Sequence, residues 1–141
     1  MKRVSLMLIV SIFVVATGFG QAPEKVENPN APEITFEKME FDFGKKPLNS
    51  AIEYEFTFTN TGKEPLIVQR CQAGCSCTVP VCPTEKPILP GEKGKVKVQY
   101  STTSYPHSFN RAFTMTTNAK TSTVTLRITG EILQEAETAA K

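Results

Sequence analysis

Along much of the chain, apolar and polar residues alternate one by one. In 51–60, Ile52, Tyr54, Phe56 and Phe58 alternate with Glu53, Glu55, Thr57 and Thr59. In 95–100, Val96, Val98 and Tyr100 oppose Lys95, Lys97 and Gln99; in 123–128, Val124, Leu126 and Ile128 oppose Thr123, Thr125 and Arg127. A period of two sends successive side chains to opposite faces, so each run predicts a strand with one buried and one wet face, as in antiparallel sheets. The expected core is Tyr54, Phe56, Phe58, Val96, Val98, Leu126 and Ile128, with Glu53, Lys97 and Arg127 in water. Weaker strands are expected over 34–38, 41–44, 65–70 and 111–117. Turn chemistry separates these runs at Asn60-Thr61-Gly62-Lys63, Pro90-Gly91-Glu92-Lys93-Gly94 and Thr117-Asn118-Ala119-Lys120. About seven short strands in one core predict an all-β, two-sheet antiparallel sandwich over 33–133.

Both ends depart from this pattern. Lys2 and Arg3 precede the apolar run Val4–Phe19, followed by Gly20-Gln21-Ala22. A basic start, a short apolar stretch and small residues predict a secretory signal peptide over 1–20. The run is shorter than the roughly 20 residues that span a bilayer. Cleavage after Gly20 satisfies the small-residue rule and leaves Gln21 first, whereas cleavage after Ala22 would place Pro23 in the peptidase site. Residues 21–32 carry three prolines and little to bury, and read as a flexible lead-in. The polar tail Gln134–Lys141 is Ala- and Glu-rich but too short to hold a helix alone.

Removing the signal changes the charge balance. It takes away Lys2 and Arg3 and no acid, so 16 basic residues become 14, against 14 acidic ones. A neutral chain has no global field for nucleic acid or anionic lipid, so neither nucleic-acid binding nor membrane insertion after cleavage is expected. Lys93, Lys95 and Lys97 alternate with apolar residues and read as the wet face of a strand. His107, the single histidine, lies in the polar stretch Ser104–Ser108 and is expected to be solvated rather than catalytic. Gly91 and Gly94 sit in a turn with no helix after them, so they form no phosphate loop. Glu53 and Glu55 share a wet face and read as solubilising rather than as an acid–base pair.

The candidate chemistry is concentrated in Cys71, Cys75, Cys77 and Cys82, the only cysteines. In an exported chain an even number of cysteines implies disulfides, here with three alternative pairings. Cys71 and Cys82 flank the segment and could clamp it, a constraint worth under about 3 kcal/mol. A bond between Cys75 and Cys77 would close a small, strained and reducible ring. Four thiolates could instead hold Cu(I) or Zn(II), and Cys75 with Cys77 alone could hold Cu(I) in two-coordinate fashion. The spacing is not that of a zinc ribbon. Thiol exchange lacks a Cys-x-x-Cys helix start, and only Arg70 and Lys86 are close enough in sequence to acidify a thiol.

Several stretches together resemble a known family. They are Phe41-Asp42-Phe43-Gly44, Phe56–Leu66 with its Asn60-Thr61-Gly62, Cys75-Ser76-Cys77-Thr78-Val79-Pro80, and Pro87–Gly94. Their order is similar to that of the bacterial Ig-like domain of unknown function 1573, frequent in exported proteins of Bacteroidetes-type bacteria, and covers roughly Ile34 to Leu133. The resemblance implies an Ig-like sandwich in a periplasmic or secreted, soluble protein, with no established reaction. The family's usual Ser-Cys-Gly-Cys-Thr falls on Gly74–Thr78, with the glycine displaced to before the first cysteine. The motif supplies Cys75 and Cys77 but not their flankers, which implies Cys71–Cys82 as a structural clamp and Cys75–Cys77 as a labile pair. The resulting expectation is a non-enzymatic binding or envelope-structural module without a cofactor, its partner an unidentified protein or envelope component. The rival expectation is a periplasmic copper- or zinc-binding or thiol-redox protein acting through Cys75 and Cys77.

Overall fold

Eight strands follow one another along the chain: β1 Ile34–Phe36, β2 Glu40–Pro47, β3 Ile52–Asn60, β4 Val68–Ala73, β5 Thr78–Val81, β6 Lys93–Tyr100, β7 His107–Thr117 and β8 Thr123–Leu133. The computed structural model describes residues 28–101 and 103–134. The expected signal peptide, most of the lead-in and the tail beyond Gln134 lie outside them. Two four-stranded sheets face each other, one ordered β1-β3-β6-β5 and the other β2-β8-β7-β4. The sandwich expected from the alternation is therefore present, with eight strands rather than seven.

The strongest alternating runs became β3, β6 and the first part of β8. Phe56, Phe58, Val96, Val98, Leu126 and Ile128 are all buried between the sheets, joined by Leu66, Phe113, Met115 and Ile132. Tyr54 departs from expectation: it faces inward but is only half-buried, because it stands at the margin of the sandwich, its ring stacked on Phe41 at 3.7 Å between centroids. The sequence pattern places Gly94 in a turn, whereas in the structure it lies inside β6 opposite Phe58. A Cβ there would run into the Phe58 ring and Ile88, so the glycine makes room for an aromatic side chain. Gly91, with φ +80°, is the residue that the turn itself requires.

Two strands differ from the sequence expectation. The sequence pattern predicts no strand over Thr78–Val81, because Pro80 interrupts a short run, yet β5 forms there; at the edge of a sheet a proline removes no ladder bond. The pair β2–β8 is parallel, whereas every other strand pair is antiparallel. The reason is a change of sheet. β1 pairs with β3 through Ile34, Thr35 and Phe36, and Glu37 still donates its N–H to the Thr57 carbonyl at 3.1 Å. Two residues later the Met39 carbonyl accepts the Arg127 N–H at 3.0 Å, and the chain continues as β2 beside β8 in the other sheet. One extended stretch thus edges both sheets, and covers only part of each.

Residues 28–32 are held against the domain. Asn28 donates its side-chain amide to Glu64 at 3.0 Å, Lys120 donates its N–H to the Pro32 carbonyl at 3.0 Å, and Pro32 is buried.

Candidate functional site: a bridged margin and an open edge

The cysteines gather at the margin formed by β4 and β5, the edge strands of opposite sheets. Cys71 lies within β4, opposite Met115, rather than in a loop, and Cys82 directly follows β5. Their Cα atoms are 6.1 Å apart and the sulfurs are paired, so the bridge spans from one sheet to the other. Cys75 and Cys77 pair in the link between the two strands, with Cα atoms 5.3 Å apart. Thr78 opens β5 with its side chain buried; its hydroxyl oxygen stands 3.7 Å from the Cys75 sulfur and 3.8 Å from that of Cys77. With four sulfurs in two pairs, no thiolate is available to a metal in this state. Among the described residues no three His, Cys, Asp or Glu side chains converge on a possible metal position.

The outer edge of β5 offers little to a further strand. Ser101 donates its N–H to the Cys77 carbonyl at 2.9 Å, which fixes the odd-numbered residues of β5 as those bonded to β6. Thr78 and Pro80 then face outward. The Thr78 N–H is directed to the Cys75 carbonyl at 3.4 Å, and Pro80 has no N–H at all. β5 also inverts the usual polarity: Thr78 is 3 % exposed, while Val79 and Val81 stand on the outer face at 45 % and 55 %.

The opposite margin is different. The β1 register would carry on from Phe36↔Phe58 past Thr57 toward Glu55 and Glu53, but the chain has already left for the other sheet. Thr57 and Thr61 bond toward β1, through the Glu37 N–H and the Glu33 carbonyl, whereas Asn60 bonds toward β6, donating to the Glu92 carbonyl and accepting from Gly91. Strand alternation therefore turns the N–H and C=O groups of Glu53 and Glu55 toward the vacated positions. Beside them lies a concavity of about 230 Å³, lined by Phe41, Asp42, Phe43, Lys46, Ala51, Glu53 and Tyr54. Its floor is aromatic: Phe43 meets Phe41 edge-on at 4.9 Å, and Phe41 lies flat on Tyr54. The stretch Phe41-Asp42-Phe43-Gly44 supplies three of its lining residues, but nothing in that stretch marks them as a site.

The remaining candidates are accounted for by their neighbours. Lys93, Lys95 and Lys97 do form a row on the outer face, but each meets an acid: Glu37 at 2.8 Å, Glu55 at 3.0 Å and Glu53 at 2.6 Å. The row is a ladder of cross-strand pairs, not a basic patch. The hydrogen bond from Lys97, and a second from Gln99, hold the Glu53 carboxyl below the usual glutamate range, and Glu53 in turn raises Lys97. His107 is not a free loop residue. It begins β7, half-buried, with Nδ1 2.8 Å from the Tyr105 carbonyl and Nε2 2.8 Å from the Tyr100 hydroxyl. Both ring nitrogens thus stand within hydrogen-bond distance of a neighbour, leaving neither free. Arg70 and Lys86 are exposed.

Comparison with known proteins adds the following. A family model described as "Protein of unknown function (DUF1573)" matches residues 34–132. No curated protein matches the chain. Among solved structures, a protein of unknown function from Porphyromonas gingivalis W83 superposes with a TM-score of 0.64 at 12% identity, over 77% of this chain and 51% of its own. The chain thus spans about half the length of that protein. The ASH/PapD-like domain 7 of human CEP192 superposes with a TM-score of 0.61 at 8% identity, over 94% of this chain and 99% of its own. The Vibrio cholerae VesB protease matches with a TM-score of 0.55 at 15% identity, over 73% of this chain and 32% of its own. Likenesses this distant speak for the fold alone, and a fold shared by such different proteins selects no activity.

Proposed function

The chain belongs to the DUF1573 family of proteins of unknown function, and on that premise we propose that it is an exported, non-enzymatic binding module whose partner pairs with the open edge of β3. The observation that carries this reading is the uncovered backbone of Glu53 and Glu55 beside an aromatic-floored concavity. An unpaired strand edge is a template for another chain, and edge pairing is a recurring mode of peptide recognition. The blocked edge of β5 leaves this margin as the better place for such pairing. Export is supported by the basic-then-apolar start of the sequence and by cysteines standing in pairs, an arrangement suited to an oxidising compartment. Among the described residues no helix is long and apolar enough to cross a membrane. A photocrosslinking residue at position 53 should capture a protein partner in the native cell, and one at position 125, on the outer face of the other sheet, should not. Capture from position 125 alone would refute the assignment.

One contact favours a second reading, thiol–disulfide exchange at Cys75–Cys77. The buried Thr78 hydroxyl beside both sulfurs can donate to whichever thiolate is released when the bond opens. An external dithiol would reduce the pair: its thiolate attacks one sulfur, the other leaves as a thiolate, and the second external thiol resolves the mixed disulfide. The resulting Cys75 and Cys77 thiols could then bind one Cu(I). Thr78→Val should slow alkylation of the reduced pair by iodoacetamide at neutral pH, and an unchanged rate would remove the support for this reading.

A further inference from the structure

The open edge carries more information than its being unpaired. We propose that it selects an extended, basic segment: a strand antiparallel to β3, in line with β1, with Lys or Arg opposite Glu53 and Glu55 and an aliphatic residue between them. This inference rests on the reading of the domain as a binding module and names the chemistry of the partner segment.

The backbone sets the direction. β1 is antiparallel to β3, and its register ends where the chain turns away. A segment continuing that line meets two N–H and two C=O groups, those of Glu53 and Glu55, spaced for an antiparallel ladder. Side chains opposite Glu53 and Glu55 stand on the outer face, and the one between them, opposite Tyr54, points inward. There it meets the Tyr54, Phe41 and Phe43 rings, an apolar surface that a Val, Ile or Leu would cover.

Charge sets the outer positions. The glutamate carboxylates meet Lys97 and Lys95 from the β6 side, so a cation arriving from the other side extends the row as Lys–Glu–cation. Asp42 adds a carboxylate at the rim; it accepts a hydrogen bond from Gly44 N–H and has no ion-pair partner among the described residues. Lys46 is the one opposing charge in the lining. The same glutamates disfavour a second copy of this chain. Two-fold pairing of β3 with itself about Tyr54 would set Glu53 against Glu55 twice, and like charges directly opposite are destabilising. The edge is thereby guarded against self-association while open to a basic strand.

The test titrates the isotope-labelled mature protein with two seven-residue peptides to millimolar concentration, one alternating Lys and Val, the other Glu and Val, at low and at physiological salt. The basic peptide should shift the Glu53 and Glu55 amides and bind at least about tenfold more tightly than the acidic one. The preference should shrink with added salt, because exposed charges are screened. The E53Q/E55Q variant should reduce it to within about twofold. Glu55→Pro, which removes an outward N–H together with the carboxylate that meets Lys95, should abolish binding of the basic peptide beyond the loss seen in E53Q/E55Q, as should N-methylation of the peptide amides that face β3. Equal binding of the two peptides at these amides would overturn the inference while leaving the binding module intact. Absence of any shift at Glu53 and Glu55 with either peptide would overturn both.

Discussion

The two margins of this sandwich are built in opposite ways. At one, β4 and β5 belong to different sheets and are joined by a disulfide, a short link and a strand whose outward donors are used or missing. At the other, a single extended stretch crosses between the sheets and leaves the rest of β3 uncovered. The first margin stays shut through covalent bonds and a proline. The second is lined by the half-buried Phe41 and Phe43 rings and keeps free backbone at its rim. The difference separates stability from recognition: covalent constraint lies beside the β5 edge, which offers little to a further strand, and unpaired backbone lies at the β3 edge, which can receive one.

The largest effect on either margin should come through the core they share. Phe56→Ala should cost roughly 3–5 kcal/mol by denaturant unfolding, since its ring is fully buried between the sheets. Lys97→Ala, on the outer face of β6 next to Val96, the partner of Phe56, should leave the midpoint nearly unchanged. Equal effects would mean that the register of β3 and β6 is displaced by one residue.

Next comes the bridged margin. The C71A/C82A double variant should lose about 2–3 kcal/mol, because the bridge closes a loop with a sequence separation of 11. The C75S/C77S variant should lose less, its separation being 2. Mild reductant should open Cys75–Cys77 and leave Cys71–Cys82 closed, as read by alkylation and mass spectrometry. Cross-pairing of Cys71 with Cys75 or Cys77 would break the assignment of the clamp.

These contrasts mark how far the sequence could be read. β3, β6 and β8 were legible because each has one wet and one buried face, so the period of two is visible in the residues themselves. β5 was not, since its polar residue is buried and its valines are exposed, the reverse of the pattern. The cysteine cluster was visible as chemistry, but its placement on a strand and across two sheets was not. The open edge left no trace in the sequence, because it arises from where the chain changes sheet, between Glu37 and Met39, and that depends on tertiary packing. Asn60 is a similar case. Its turn chemistry was plain, but its burial, with the side-chain amide donating to the Glu64 and Ile88 carbonyls at 2.8 and 2.9 Å, was not.

The smallest expected effect lies on the rim of the open margin. The Glu53 carboxyl should titrate below the ordinary glutamate range by carbon NMR, and Lys97→Ala should return it toward that range. A depressed carboxyl contributes stability above its unfolded pKa and loses it as the pH falls through the folded value. For so exposed a pair that contribution is slight, and salt should erode it. An unshifted Glu53 in the parent protein would remove Lys97 as its partner and weaken the charge row on which the basic-strand inference depends.

Residue-resolved amide hydrogen exchange along β3 tests the central contrast most directly. Tyr54 and Phe56 bond to β6 and should be strongly protected, whereas Glu53 and Glu55 should exchange at nearly unprotected rates, an alternation with a period of two confined to this end of the strand. Protection of Glu53 and Glu55 equal to that of Tyr54 would mean that the edge is already covered, and would contradict the account.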